Sequence, residues 1–329
     1  MENTFKALLI REENGQFLKQ VQQVPLSSLP DHDTLIRVTY SSLNYKDALS
    51  ATGNKGVTRT FPHVPGIDAV GVVEESSGKL WKKGDQVLVT GFDLGMNTWG
   101  GYGQYIRVPG EWIVALPPNL QPQEAMALGT AGFTAGLCVD KLVQAGIKPS
   151  DGPIAVSGAT GGVGSISLQL LSKLGYQTVG ISGKKNTDLQ QQLNGTEWLD
   201  RQEFTDESKR ALLKPRFAGA IDTVGGSVLT TLVRSLQYNG VVAACGMAQS
   251  GDLNLTVFPF ILNGVSLLGV DSVQASMLVR QRVWNLLANE WKPEQLVSFT
   301  KQLTLEELPE QIDQMLAGQT EGRTLVKLW

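Results

Sequence analysis

Hydrophobic and polar positions change rhythm once along the chain, near Pro122. Before it, short β-branched runs recur at Thr34 to Tyr40, Gly71 to Glu74, Gln86 to Thr90 and Tyr105 to Val108. Gly and Pro clusters such as Pro65-Gly66 and Gly100-Gly101 punctuate them, which predicts a β-rich unit with tight turns. After it, Pro122 to Ala145 is rich in Ala and Leu and predicts a helix. Strands and helices then alternate: strand Pro153 to Ser157, helix Val163 to Leu174, strand Gln177 to Ile181, helix Thr187 to Leu193. Further strands are expected at Gly219 to Asp222, Gly240 to Ala244 and Ser266 to Val270. Such alternation implies a parallel sheet covered on both faces. The tail predicts helices over Met277 to Glu290, Pro293 to Gln302 and Leu308 to Ala317, then a strand over Arg323 to Leu328.

A chain of 329 residues has room for two domains. Its net charge of −3 argues against a broad nucleic-acid or anionic-membrane surface. The run Ala7 to Ile10 is too short for a signal peptide, and no stretch is expected to approach the length of a membrane span. A cytoplasmic location follows as the expectation, and the sequons at Asn194 and Asn254 would not meet the glycosylation machinery. Two Cys (138 and 245) and two His (32 and 63) leave no disulfide framework, no four-thiolate zinc site and no metal-ligand spacing.

The strongest chemical signal is Gly158-Ala159-Thr160-Gly161-Gly162-Val163-Gly164, between a predicted strand and a predicted helix. In that context glycines permit a tight turn and close backbone approach to a pyrophosphate, and the helix-start N–H groups face the anion. An NAD site usually carries an acid at the end of the following strand, to hold the ribose 2′-hydroxyl. Here that strand runs into Ser182-Gly183-Lys184-Lys185, with no acid before Asp188. A hydroxyl and two ammoniums suit a 2′-phosphate, so NADPH is preferred over NADH, and Arg201 would add a cation. No Lys-Ser/Thr follows the loop as in a nucleotide triphosphatase, and no GxSxG nucleophile elbow occurs.

These features resemble the medium-chain dehydrogenase/reductase superfamily. The residues that carry the likeness are Pro65 to Glu74, Gly84 to Val87, Trp99 to Tyr102, Gly129 to Ala135, the Gly-rich loop and Asp222 to Gly226. Within it the chain resembles the zinc-free YhdH/YhfP branch, which includes NADPH-dependent acrylyl-CoA reductases. That closer likeness rests on Ser42 to Leu49, Ser182 to Lys184, Ala243 to Gly246, Gly269 to Val273 and Gly322 to Lys327. The resemblance implies an α/β protein with a GroES-like β-rich catalytic domain, residues 1–121 completed by about 274–329. A Rossmann doubly wound domain over 122–273 and a homodimer are also implied. Asn44 and Ile67 stand where zinc-dependent relatives carry Cys and His ligands, and Ala131 stands near the third ligand's place.

Removing a proton from an alcohol without a metal is costly, whereas hydride addition to an activated alkene needs only donors for the enolate oxygen and a proton for the α-carbon. NADPH-dependent reduction of an alkene activated by a thioester, ketone or quinone carbonyl is therefore expected, and the resemblance implies an enoyl thioester, acrylyl-CoA first. A quinone or enone reductase is the alternative within enzymes, and an NADPH-binding sensor or structural protein the alternative outside them. Candidate catalytic residues are Tyr45, as a phenolic donor or a pocket wall, Asn44 as an amide donor, and Asp47, either directly or as a pair with Lys46 that orders the loop. Asp68 and Asp222 are expected to brace backbone, His63 to be a satisfied surface residue and Cys245 a small buried packer. For the cofactor the candidates are Thr160, Gly161, Gly162, Val163 and Gly164, with Ser182, Gly183, Lys184 and Arg201. By resemblance, Tyr45, Cys245, Gly246, Met247, Ile261 and Ser272 border the nicotinamide half, and Thr130 and Thr134 the interdomain cleft.

Overall fold

Asn14 and Gly15, both at positive φ (53° and 78°), turn the chain between β1 (Thr4–Glu13) and β2 (Gln16–Pro25). That residue pair fits a hairpin whose turn matches the right-handed strand twist. The computed structural model describes residues 3–193, 195–294, 296 and 300–329. It divides into two units: Met1–Thr130 with Val273–Ala288 and Gln295–Trp329, and Ala131–Ser272 with Asn289–Glu294.

The first unit holds a seven-stranded sheet. Its strands are β3 (Thr34–Ser42), β4 (Asp68–Ser76), β5 (Gln86–Thr90), β6 (Tyr105–Val108), β7 (Val114–Ala115), β14 (Thr300–Thr304) and β15 (Arg323–Lys327). They run in the order β14-β15-β3-β4-β5-β7, with β6 paired to β3. Leu8, Ile10, Ile36, Val38, Leu43 and Tyr102 are among its fully buried core residues. Helix α1 (Tyr45–Ala51) packs against α9 (Leu308–Leu316). Helix α8 (Met277–Ala288) is pinned by the buried Arg280, whose guanidinium donates to Thr90 O and Val273 O, both at 2.7 Å.

The predicted helix over Pro293 to Gln302 is not formed at its C-terminal end. Thr300–Thr304 is strand β14, parallel to β15 in a register from Thr300↔Arg323 to Thr304↔Lys327. The β-branched Thr300 and Thr304, together with the open edge of β15, override the local helical pattern. Residues 295 and 297–299 of that prediction, and Asn194 of the first sequon, lie outside the described residues.

The second unit is a six-stranded, wholly parallel sheet. Its strands are β8 (Ile154–Ser157), β9 (Thr178–Ser182), β10 (Glu197–Asp200), β11 (Phe217–Asp222), β12 (Leu236–Ala244) and β13 (Ser266–Gly269). Their order β10-β9-β8-β11-β12-β13 reverses direction beside β8. This is the doubly wound order that binds dinucleotides at the carboxyl ends of the strands. The helices are α3 (Gly162–Lys173), α4 (Asp188–Gln192), α5 (Arg201–Phe204), α6 (Gly226–Arg234) and α7 (Phe258–Asn263).

Helix α2 (Pro122–Gln144) corrects one expectation, because its 23 residues are long and apolar enough to cross a membrane by length and composition. Its most apolar window is 83% buried inside the protein, so those residues serve the core. Gly129 breaks the helix with φ 51° and ψ −153°. A Cβ there would stand 2.5 Å from Asp68 Oδ2 and 2.6 Å from Ser42 Oγ, so both the backbone angle and the space require glycine.

Candidate active site and nucleotide loop

The Gly-rich loop leaves β8 at Ser157 and enters α3 through Gly161, whose N–H donates to Gly158 O at 2.9 Å. No side chain caps α3, so its first amides are left to an external acceptor. Gly164 lets the helix lie against the loop, since a Cβ there would sit 2.3 Å from Gly158 O. Asp222 braces the neighbouring strand end: Oδ1 accepts from Ser157 Oγ at 2.6 Å and Oδ2 from Gly225 N at 2.8 Å. Burial pushes its carboxyl above the ordinary range against the pull of these bonds.

Thr160 Oγ1 and Ser182 Oγ share a hydrogen bond of 3.0 Å, which joins the loop to the end of β9. Lys184 N donates to the same Ser182 oxygen at 3.0 Å. Arg201 follows β10 and lies over Gly183, where a Cβ would meet its Nη2 at 2.9 Å. Thr160, Ser182, Gly183, Lys184 and Arg201 are thus gathered at one end of the sheet, at the position where an NAD site carries an acid. Of the two ammoniums expected there, Lys185 is otherwise engaged: it pairs with Asp200 at 3.0 Å, and that hydrogen bond raises its pKa. Cys245, Gly246 and Met247 follow β12; Cys245 N donates to Asp222 O at 2.9 Å. Cys245 is half-buried rather than fully packed, and Met247 and Ile261 are exposed. Ser272 is half-buried after β13, and Thr134 is buried in α2.

In the first unit, Asn44 caps α1 and forms a capping box with Asp47. Asp47 is fully buried and makes no pair with Lys46. Its Oδ2 accepts from Asn44 N at 2.8 Å, and its Oδ1 accepts from Ile67 N at 2.8 Å and Gly66 N at 3.2 Å. The Asn44 amide donates to Asp68 Oδ2 at 2.7 Å and Asp47 Oδ2 at 3.2 Å, while its oxygen accepts from Arg323 Nη1 at 3.2 Å. Both amide hydrogens are therefore committed inward, so the expectation of Asn44 as a free donor does not fit this geometry.

Asp68 ties the segments together. It accepts from Ser42 Oγ at 2.6 Å, Thr130 Oγ1 at 2.6 Å and Thr130 N at 2.9 Å. Thr130, expected to face the cofactor, is held by this carboxylate. Arg323 donates to Ala127 O, Leu43 O and Ser42 Oγ, and lies 4.0 Å from Asp68. Burial, then the Asp68 charge, pushes the Asp47 carboxyl up to about 7. Burial likewise lowers the Arg323 pKa and raises that of Tyr102, whose hydroxyl donates to Ser42 O at 3.3 Å.

Tyr45, the first residue of α1, is 54% exposed and its hydroxyl bonds none of the described residues. His63 is not a surface residue: it is 1% exposed, its Nε2 bonds Gly95 O at 3.0 Å, and burial lowers its pKa to about 4. Sequence reasoning assigned no role to Ser42, Tyr102 or Arg323. An arginine opening the predicted strand, directly before Thr324-Leu325-Val326, was the available signal, since a buried Arg demands partners.

The parallel sheet with its glycine loop defines a dinucleotide-binding α/β unit, and it accompanies a β-rich unit with a buried polar cluster. The family model described as "Alcohol dehydrogenase GroES-like domain" matches residues 30–118, and "Zinc-binding dehydrogenase" matches residues 162–289. The chain is 44% identical to the probable acrylyl-CoA reductase AcuI of Escherichia coli, over 98% of this chain and 99% of that protein. It is 41% identical to the putative quinone oxidoreductase YhfP of Bacillus subtilis over 100% of both. The solved yhdH oxidoreductase of Salmonella enterica in complex with NADP superposes with a TM-score of 0.95 at 44% identity, covering 98% of this chain and all of that one. B. subtilis yhfP with NAD bound gives 0.95 at 40%, covering 99% and 100%. The chain belongs to the YhdH/YhfP branch of the medium-chain dehydrogenase/reductase superfamily.

Proposed function

We propose that this protein is an NADPH-dependent reductase of electron-poor alkenes, with acrylyl-CoA as the leading substrate and propionyl-CoA as product. The observation that carries the reading is full-length likeness to a probable acrylyl-CoA reductase, joined to Ser182 and Lys184 at the end of β9, where an NAD site has an acid, with Arg201 lying over Gly183. The residues present fit the cofactor. The uncapped start of α3 and the close loop approach at Gly164 suit the pyrophosphate, and Ser182, Lys184 and Arg201 suit the 2′-phosphate.

When bound, NADPH supplies the hydride that adds to the β-carbon of the alkene. Tyr45 offers its exposed hydroxyl to the carbonyl oxygen as negative charge grows there, or delivers the proton for the α-carbon. Asn44, Asp47, Asp68 and Arg323 act as positioning residues: they fix the first turn of α1 and hence the Tyr45 backbone. No metal ligand enters this scheme, since the Asn44 amide faces two carboxylates instead.

Quinone or enone reduction is the second reading, favoured by the name of the B. subtilis relative. A panel of acrylyl-CoA, crotonyl-CoA, enones and quinones, followed by nicotinamide absorbance, separates the two. Preferential oxidation of NADPH by acrylyl-CoA supports the first reading; broad quinone activity with none on thioesters replaces it. The reading includes a cytoplasmic homodimer. Strand β13 ends its sheet, and Val257, Phe258, Ile261 and Leu262 on or beside α7 are exposed apolar residues suited to a second copy. Light scattering that reports a monomer at assay concentration removes that part.

A further inference from the structure

We infer that an open groove on the first unit, lined by Arg11 and Arg59, receives the phosphorylated nucleotide end of a coenzyme A thioester. The inference rests on the acrylyl-CoA reading above and deepens it, since that reading leaves the phosphates of the substrate without a partner. The groove is about 710 Å³ and is lined by Arg11 to Gly15 on one side and Arg59 to Pro62 on the other. Sequence alone scatters these cations, 48 positions apart. The fold brings them together through one antiparallel bridge: Ile10 N donates to His63 O at 2.8 Å, and His63 N to Ile10 O at 3.0 Å. The buried His63 ring, bonded to Gly95 O, anchors that bridge from beneath.

Charge in the groove is unevenly matched. Glu12 pairs with Lys55 at 3.3 Å, whereas neither arginine pairs with an acid among the described residues. Lys55 is held over the rings of Phe17 (5.5 Å) and Phe61 (5.2 Å), which fixes it beside the Arg59 wall. The lining itself carries two arginines and two acids, Glu12 and Glu13; Lys55, just outside it, takes up Glu12, which leaves Glu13 alone against the two arginines. Guanidinium forks suit bidentate phosphate contacts.

The groove is also tied to the candidate chemistry. Thr58, beside Arg59, shares a 2.6 Å hydrogen bond with Ser50 of α1, the helix that begins with Tyr45. That helix spans roughly 10 Å.

The test is the double variant Arg11→Gln/Arg59→Gln, assayed with acrylyl-CoA and with acrylyl-pantetheine, which lacks the nucleotide. The ratio of KM for the CoA thioester to KM for the truncated one is expected to rise on the order of ten-fold in the variant. It is also expected to rise with added salt in the wild type more than in the variant. An unchanged ratio overturns the assignment. If the wild type reduces neither thioester, the functional reading fails on its own, and the groove is judged by titrating adenosine 3′,5′-bisphosphate into protein saturated with NADP+. Binding that the double variant loses keeps the groove as a phosphonucleotide site; equal binding, or none to either protein, removes it.

Discussion

Replacing Asp47 with Asn probes the buried cluster through its pH dependence. The carboxylate accepts four hydrogen bonds, from Asn44 N, Asn44 Nδ2, Gly66 N and Ile67 N. An amide keeps one oxygen and turns an NH2 toward donors, which costs about 1–3 kcal/mol for each buried group left unmatched. Against that, the wild-type carboxyl is raised from 3.8 to about 7, mainly by burial. Between those pH values the unfolded chain releases a proton that the folded chain keeps, so the stability tied to this group is full below 3.8 and lost as pH rises to about 7. The scale of that loss is about 4 kcal/mol. His63 acts in the opposite direction: its pKa falls from 6.5 to about 4, so its contribution is present above 6.5 and lost as pH drops toward 4. The raw wild-type profile mixes both slopes, and the difference between wild type and Asp47→Asn cancels the histidine. Urea unfolding followed by tryptophan fluorescence from pH 4.5 to 8.5 measures it. Within that window the wild-type advantage is expected to shrink by about 3 kcal/mol as pH approaches 7, then level off. A difference that is constant, or that grows with pH, refutes the reasoning.

Lys184→Ala is expected to raise KM for NADPH on the order of ten-fold or more while changing KM for NADH little, because a charge-assisted phosphate contact is lost; equal effects on both cofactors contradict the 2′-phosphate role. Tyr45→Phe is expected to lower kcat on the order of ten- to hundred-fold with a small change in KM, whereas a change in KM alone reassigns Tyr45 to the pocket wall. Metal analysis of purified protein is expected to find no stoichiometric zinc, with activity unchanged by chelator; a one-to-one zinc content ends the metal-free scheme.

How far the sequence reached depended on the range of the interactions. The loop Gly158 to Gly164 was legible because its glycines obey a local backbone rule between a strand and a helix. Strands Gln86–Thr90 and Tyr105–Val108 have their predicted bounds, since a continuous β-branched run bounded by turn residues marks them. The first hairpin was missed because Arg11, Glu12 and Glu13 continue β1 as an exposed, charged strand end that no apolar alternation reveals. Strand β14 was missed because only pairing with β15 decides it. The polar cluster was out of reach in a stricter sense. Asn44 and Asp68 are 24 positions apart, and Asn44 and Arg323 are 279 apart, so nothing local indicates that the Asn44 amide is turned inward. The same distance in sequence explains His63, whose burial depends on the bridge to Ile10.

Transfer of label from NADPH carrying deuterium at the reactive ring position tests the proposed chemistry most directly. Incubation with acrylyl-CoA in ordinary water is expected to yield propionyl-CoA with one deuterium on the β-carbon and none on the α-carbon. Product without deuterium, or with deuterium only on the α-carbon, contradicts direct hydride delivery to the alkene.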